Sequence, residues 1–111
     1  MSELTRFEEQ VLLSVWKLGT GAYGPAIYDH IRELTKKELS VGGIYFPLTR
    51  LEKRQLLEAY HGKPTPVRGG QSKRYYRITK RGLEELLKML DIQQSFWKDL
   101  PDLDYLENES K

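Results

Sequence analysis

Cysteine is absent from the 111-residue chain, so neither a disulfide framework nor a thiolate metal site is open to it. Histidine occurs twice, as His30 and His61, too sparse and too far apart for a structural zinc, and no metal or cofactor is expected. No apolar run approaches the roughly 20 residues that span a bilayer, and the opening MSELTRFEEQ lacks the basic-then-apolar layout of a signal peptide. A soluble, cytoplasmic protein without a membrane partner is expected. No nucleophile, acid-base pair or glycine-rich phosphate loop is recognisable, and neither histidine has a serine-acid or cysteine partner at a suggestive spacing. No catalytic residues are therefore expected, and an enzyme is the poorest of the function classes considered.

Against these absences stand 39% hydrophobic and 31% charged residues, enough to fold one small core and too little chain to enclose a large substrate. The net charge is only +2, but it averages over two opposed regions. Arg68, Lys73, Arg74, Arg77, Lys80 and Arg81 follow one another without an acid between them. From Asp99 onward the sign reverses, with Asp99, Asp102, Asp104, Glu107 and Glu109 against Lys111 alone. Such a split points to a local electrostatic footprint rather than a uniformly basic protein.

Thr5-Arg6-Phe7-Glu8 has the form of a capping box, and the apolar residues from Phe7 to Leu18 recur at helical spacing before Gly19, so a first helix is expected at about 6 to 18. Pro25 opens a second, near 25 to 36, with Ile27, Ile31 and Leu34 as its stripe. Ser40 can cap a third helix carrying Ile44, Leu48 and Leu51 on one face and Gly42, Gly43, Phe46, Thr49, Arg50 and Lys53 on the other. Pro47 inside it leaves two possibilities: a bent first turn, or a helix that starts later. Gln55 to His61 and Lys73 to Thr79 alternate as strands of a hairpin, with Tyr76 and Ile78 facing inward. Between them GKPTPVRGGQ reads as a protruding loop with Gly69 and Gly70 at its tip. Thr79 then caps a last helix with a seam of Leu83, Leu86, Leu90, Trp97 and Leu100 and one polar slot at Gln93. Pro101 is expected to end it, and the acidic remainder to be frayed.

Three helices, a hairpin with a long basic loop and a final helix are the order of a winged helix-turn-helix, an α+β and mostly helical fold. Within that frame S-V-G-G-I-Y-F-P-L-T-R-L-E-K at Ser40 to Lys53, followed by G-G-Q-S-K-R-Y-Y-R-I-T at Gly69 to Thr79, resembles the PadR family of bacterial transcriptional regulators. Ala22-Tyr23-Gly24 is similar to the family's tyrosine-glycine opening of helix 2, and the likeness covers about residues 6 to 88. Two positions depart from the pattern: Gln55 stands where the family commonly has glycine, and Phe46-Pro47 is bulkier and stiffer than in common members. The short C-terminus resembles the compact subgroup, whose single last helix makes the dimer.

The resemblance implies a homodimeric DNA-binding regulator, a repressor, on a pseudo-palindromic double-stranded operator. It implies a division into a DNA-binding domain at 1–80, a dimerisation helix at 81–100 and a flexible acidic tail at 101–111. Ser40, Gly42, Gly43, Tyr45, Thr49, Arg50 and Lys53 on the third helix are expected at the groove and backbone, and Lys73, Arg74, Tyr75 and Arg77 at phosphates. For the lysine and arginines of the hairpin the alternative is a charged strand edge that blocks unwanted pairing. Leu83, Leu86, Leu90, Phe96, Trp97 and Leu100 are expected at a dimer interface. In the compact subgroup an aromatic on this helix, at the two-fold axis, helps form a flat cavity for planar hydrophobic compounds. Trp97 stands either in such an effector cavity or in a packed interface with no ligand. The rival function is a winged helix used for protein contact, without a specific DNA site.

Overall fold

The computed structural model describes residues 4–62 and 73–109; the glycine and proline loop, with Arg68, Gly69 and Gly70, lies outside the described residues. Helix α1, Arg6–Leu18, opens with the expected capping box: Thr5 Oγ1 accepts from the Glu8 amide at 3.0 Å, and Glu8 Oε1 accepts from the Thr5 amide at 2.9 Å. Its bounds coincide with the spacing of its apolar residues. Helix α2, Gly24–Thr35, carries Pro25 in its first turn and ends on Lys36 in a left-handed conformation.

Ser40 caps a short 3-10 turn, Val41–Ile44, by accepting from the Gly43 amide at 3.0 Å, and helix α3 follows as Tyr45–Lys53. Pro47 is thus the third residue of α3. At that position a backbone N–H has no partner within the helix, so proline removes nothing. Of the two possibilities left by the sequence, the later start is the one adopted, and the proline ring is buried.

Strands β1, Leu57–His61, and β2, Arg74–Ile78, pair antiparallel with Leu57 opposite Ile78, Ala59 opposite Tyr76 and His61 opposite Arg74. The first strand starts two residues later than the alternation suggested, because Gln55 turns the chain with φ +64. The free edge of β2 is occupied as well. Tyr23 bridges Tyr75, and the Ala22 carbonyl accepts from the Tyr76 amide at 2.8 Å.

Val11, Leu12 and Val15 of α1, Ile27 and Ile31 of α2, Leu48 and Leu51 of α3, and Leu56, Leu57 and Tyr76 of the hairpin form the buried core. Truncating any of its leucines or isoleucines to alanine costs about 2–5 kcal/mol. This core fixes the outward face of α3 beside the two strands.

Helix α4, Lys80–Trp97, is capped by Thr79 Oγ1, which accepts from the Gly82 amide at 2.9 Å. Gly82, Leu86, Met89 and Gln93 face the domain, and Gln93 Nε2 donates to Glu9 Oε2 of α1 at 2.8 Å. Leu86 therefore belongs to the core, not to a dimer seam, because the three-residue step from Leu83 turns it inward. The helix ends at Trp97, before Leu100 and Pro101, and the acidic remainder is not simply frayed: Leu103–Glu109 form a short helix, α5. Asp102 starts it by accepting from the Asp104 amide at 3.1 Å. From Gln94 to Asn108 every residue is exposed. Among the described residues no helix is long and apolar enough to cross a membrane.

Candidate nucleic-acid interface

The outward face of α3 and its 3-10 lead-in presents Ser40, Gly42, Gly43, Tyr45, Phe46, Thr49, Arg50 and Lys53, all exposed. Its start is locally determined. Ser40 holds Gly43, and a Cβ added to Gly43 would lie 2.7 Å from Ser40 Oγ, so the cap and the glycine require each other. The Tyr45 ring lies against the Gly24 backbone at the beginning of α2, where a Cβ would come within 2.6 Å of its hydroxyl. Thr49 donates to the Tyr45 carbonyl at 2.9 Å, which leaves its methyl and one acceptor site outward.

Each of the three arginines expected at DNA is held by a carboxylate of the protein itself. Arg50 Nε lies 3.4 Å from Glu8 Oε2, and the Glu8 side chain is 3% exposed; Arg54 reaches the other oxygen of Glu8 at 3.9 Å. Arg74 Nη2 lies 2.8 Å from both oxygens of Glu52, and its Nε donates to Tyr76 Oη at 3.3 Å. The hydrogen bond to Glu52, with that to Tyr76 second, raises the Arg74 guanidinium above its ordinary pKa. Arg77 Nε stands 3.7 Å from Glu58 across the strand pair, with its guanidinium 4.4 Å over the Tyr60 ring.

The lysines are disposed differently. Lys53 is exposed at the last turn of α3, and Lys73, at the foot of β2, extends its ammonium 4.9 Å over the Tyr23 ring. Tyr75, expected at a phosphate, is half-buried with Tyr23 and Tyr60 on its two sides at centroid distances of 5.5 and 5.8 Å. Its ring helps tie the start of α2 to the strand pair. The residues that organise this surface and were not assigned to it from the sequence are Glu8, Glu52, Glu58, Tyr23 and Tyr60. Glu8 had a visible local role as the capping-box acid, but its second role toward Arg50 spans 42 positions and leaves no local pattern.

The arrangement combines a glycine-opened helix end, an apolar ring at Phe46, a hydroxyl at Thr49 and cations on both α3 and β2. A helix of this width fits the major groove, where the thymine methyl and base-edge acceptors offer partners for such groups. Leu83, Leu90, Phe96, Trp97 and Leu100, expected at a dimer interface, stand exposed in the protomer. His30 Nδ1 and Ser14 Oγ share a hydrogen bond of 2.8 Å between α1 and α2, a packing role.

The family model for the transcriptional regulator PadR-like family matches residues 12–88. A protein of Lysinibacillus sphaericus is 37% identical over 71 residues, an alignment that spans 60% of this chain and 62%, less than two thirds, of that relative. Among solved structures, RosR of H. salinarum aligns with a TM-score of 0.68 at 22% identity, over 96% of this chain and 87% of that one. A transcriptional regulator from Clostridium thermocellum gives 0.65 at 24% identity, over 82% and 85%. Both likenesses concern the fold. A PadR family transcription regulator from Clostridium difficile gives 0.56 at 25% identity, over 91% and 95%. Because the matched span takes in more than half of the chain, with α3 and both strands inside it, the chain belongs to the PadR-like family of transcriptional regulators.

Proposed function

We propose that the protein is a homodimeric repressor that binds a pseudo-palindromic site in double-stranded DNA. In this reading residues 1–80 form the DNA-binding unit and 81–100 the dimerisation segment. Two copies of α3 enter successive major grooves about 34 Å apart. Thr49 and Tyr45 face base edges and sugar, Gly42 and Gly43 let the backbone approach, and Lys53 and Lys73 contact phosphates. The observation that carries the reading is the exposure of that whole face of α3 beside a strand that bears Arg74 and Arg77 and no acid and is preceded by Lys73.

The arginines take a different part from the lysines. Arg50, Arg74 and Arg77 set the pose of α3 and the strands through Glu8, Glu52 and Glu58. Arginine suits this work because its planar fork stays charged and meets a carboxylate with defined geometry. The dimer closes over the exposed apolar side of α4 around Trp97. A planar hydrophobic compound at that tryptophan would relieve repression by changing the angle between the two DNA-binding units.

The test is a titration of duplex DNA with wild type, Lys53→Ala and Lys73→Ala across a salt series. Loss of salt-sensitive binding in the variants while the dimer persists supports the reading; unchanged binding in both removes the lysines from the interface. For the effector, planar hydrophobic dyes should quench tryptophan fluorescence and weaken operator binding together, and failure of either effect ends that part of the proposal.

A further inference from the structure

Helix α4 begins with charge of the sign its dipole disfavours. Lys80 and Arg81 occupy its first turn, which holds no acid, and its last turn holds no base while Asp99, Asp102 and Asp104 follow. The N-terminal end of a helix favours negative charge and the C-terminal end positive charge, so within one protomer the basic start is placed unfavourably, while at the far end the C-cap Lys98 is followed by Asp99, Asp102 and Asp104. In an antiparallel pair of copies the same arrangement becomes complementary, because each acidic end approaches the other's basic end. A parallel pair would set like against like.

The arm beyond Trp97 also lacks any support of its own. Leu100, Leu103 and Leu106 are 65%, 81% and 66% exposed, and a helix of the length of α5 is not stable alone in water. An open groove at the other end of α4 matches it in chemistry. Leu87 lines its floor, and four basic residues, Arg54, Lys80, Arg81 and Lys88, outnumber the acids Glu84 and Glu85. Leu83, Leu87 and Leu90 stand exposed as one stripe that borders the groove, which Leu87 enters.

From these observations we infer that the acidic arm, residues 98–107, of one copy docks into the Lys80–Lys88 groove on α4 of the second copy. Its leucines cover Leu87 and Leu90, and Asp102, Asp104 and Glu107 lie against Lys80, Arg81 and Lys88. The reach is adequate. With the two-fold axis near Trp97, the partner's Lys88 lies about 14 Å and its Lys80 about 25 Å along an antiparallel helix at 1.5 Å per residue. An arm of five non-helical and five helical residues extends at most about 24 Å once the turn at Asp99 opens, so its backbone passes Lys88 and its side chains span the remainder to Lys80. The inference rests on the dimer proposed above and assigns a second function to the tail: it is a clasp between copies.

Two charge-reversed proteins test it, Lys80→Glu with Arg81→Glu and Lys88→Glu, and Asp102→Lys with Asp104→Lys and Glu107→Lys. All six positions are exposed in the protomer, so circular dichroism should report helices α1 to α4 unchanged, the loss of the Asp102 contact being confined to the start of α5. Sedimentation equilibrium should show each variant dimerising at least tenfold more weakly than wild type, and native mass spectrometry of an equimolar mixture should recover a heterodimer of near wild-type affinity. Wild-type dimerisation by both variants, or a mixture that recovers nothing, overturns the clasp and leaves the dimer standing. A wild-type chain that is monomeric throughout overturns the clasp and the dimer together.

Discussion

Glu52 of α3 and Arg74 of β2 are joined by two contacts of 2.8 Å from one guanidinium nitrogen to both carboxylate oxygens. This pair binds the strand to the helix that faces outward, so that the two present one surface. Both side chains are partly exposed, 35% and 48%, and solvent screening limits the pair's contribution to stability to under about 1 kcal/mol. Its value lies in position. Glu52→Gln is expected to weaken DNA binding by roughly fivefold, a change of about 1 kcal/mol, and Arg74→Ala to do the same. Neither should alter the salt slope. An increase in affinity for Glu52→Gln would mean that Arg74, once released, is itself a phosphate contact.

Lys73 should behave in the opposite way. Removing one phosphate contact from each of two protomers lowers the slope of log K against log salt by about 2. Lys73→Ala is therefore expected to flatten the salt dependence with little change in thermal stability, as followed by fluorescence anisotropy and by melting.

Two glycines separate an effect on the interface from an effect on the fold. A Cβ on Gly24 meets the end of the Tyr45 ring, and that ring is half exposed and free to swing outward. Gly24→Ala should cost under about 1 kcal/mol of stability and yet reduce DNA binding, because it displaces Tyr45. A Cβ on Gly82 meets the Leu56 carbonyl and Ile78 Cγ1, neither of which can move aside. Gly82→Ala should cost about 1–3 kcal/mol, read as a fall in urea midpoint.

Gln55 adopts φ +64, a conformation that costs a non-glycine residue about 1 kcal/mol or more. Its backbone carbonyl still accepts from Thr79 Oγ1 at 2.7 Å, and that bond does not depend on its side chain. Gln55→Gly is expected to raise stability by up to about 1 kcal/mol, after the added freedom of the unfolded chain is subtracted. The urea midpoint should rise without a change in slope.

Glu8 is buried, accepts from the Thr5 amide and forms ion pairs with Arg50 and Arg54. Glu8→Ala removes the acceptor of the Thr5 amide, one half of the capping box, and the carboxylate that Arg50 and Arg54 share, at a cost of about 2 kcal/mol. A melting point lower by roughly 10 °C is expected.

The elements were legible wherever the determining contacts are local. Thr5 and Glu8 mark the start of α1, Ser40 the cap before α3 and Thr79 the start of α4, each through a bond three residues away, and Pro25 marks the start of α2 by its fixed φ. The outward face of α3 was legible because the helical period places Leu48 and Leu51 opposite Thr49 and Lys53. What the site residues do was not. Arg50, Arg74 and Gln93 find their partners 42, 22 and 84 positions away, and a pattern within a short window cannot contain such pairings. Leu86 was misassigned because a seam of period near 3.5 and a core-facing row lie only one helical step apart on α4. The acidic tail read as frayed because its charge outweighs Leu103 and Leu106, although their spacing is helical.

The most direct test is selection of binding sites by the intact protein from random duplex DNA at a fixed salt concentration. The account predicts an enriched inverted repeat with half-site centres about 10 base pairs apart, lost from Thr49→Ala and Lys53→Ala protein that still dimerises. Recovery of no enriched motif, with the dimer intact, would contradict it and favour a winged helix that meets another protein.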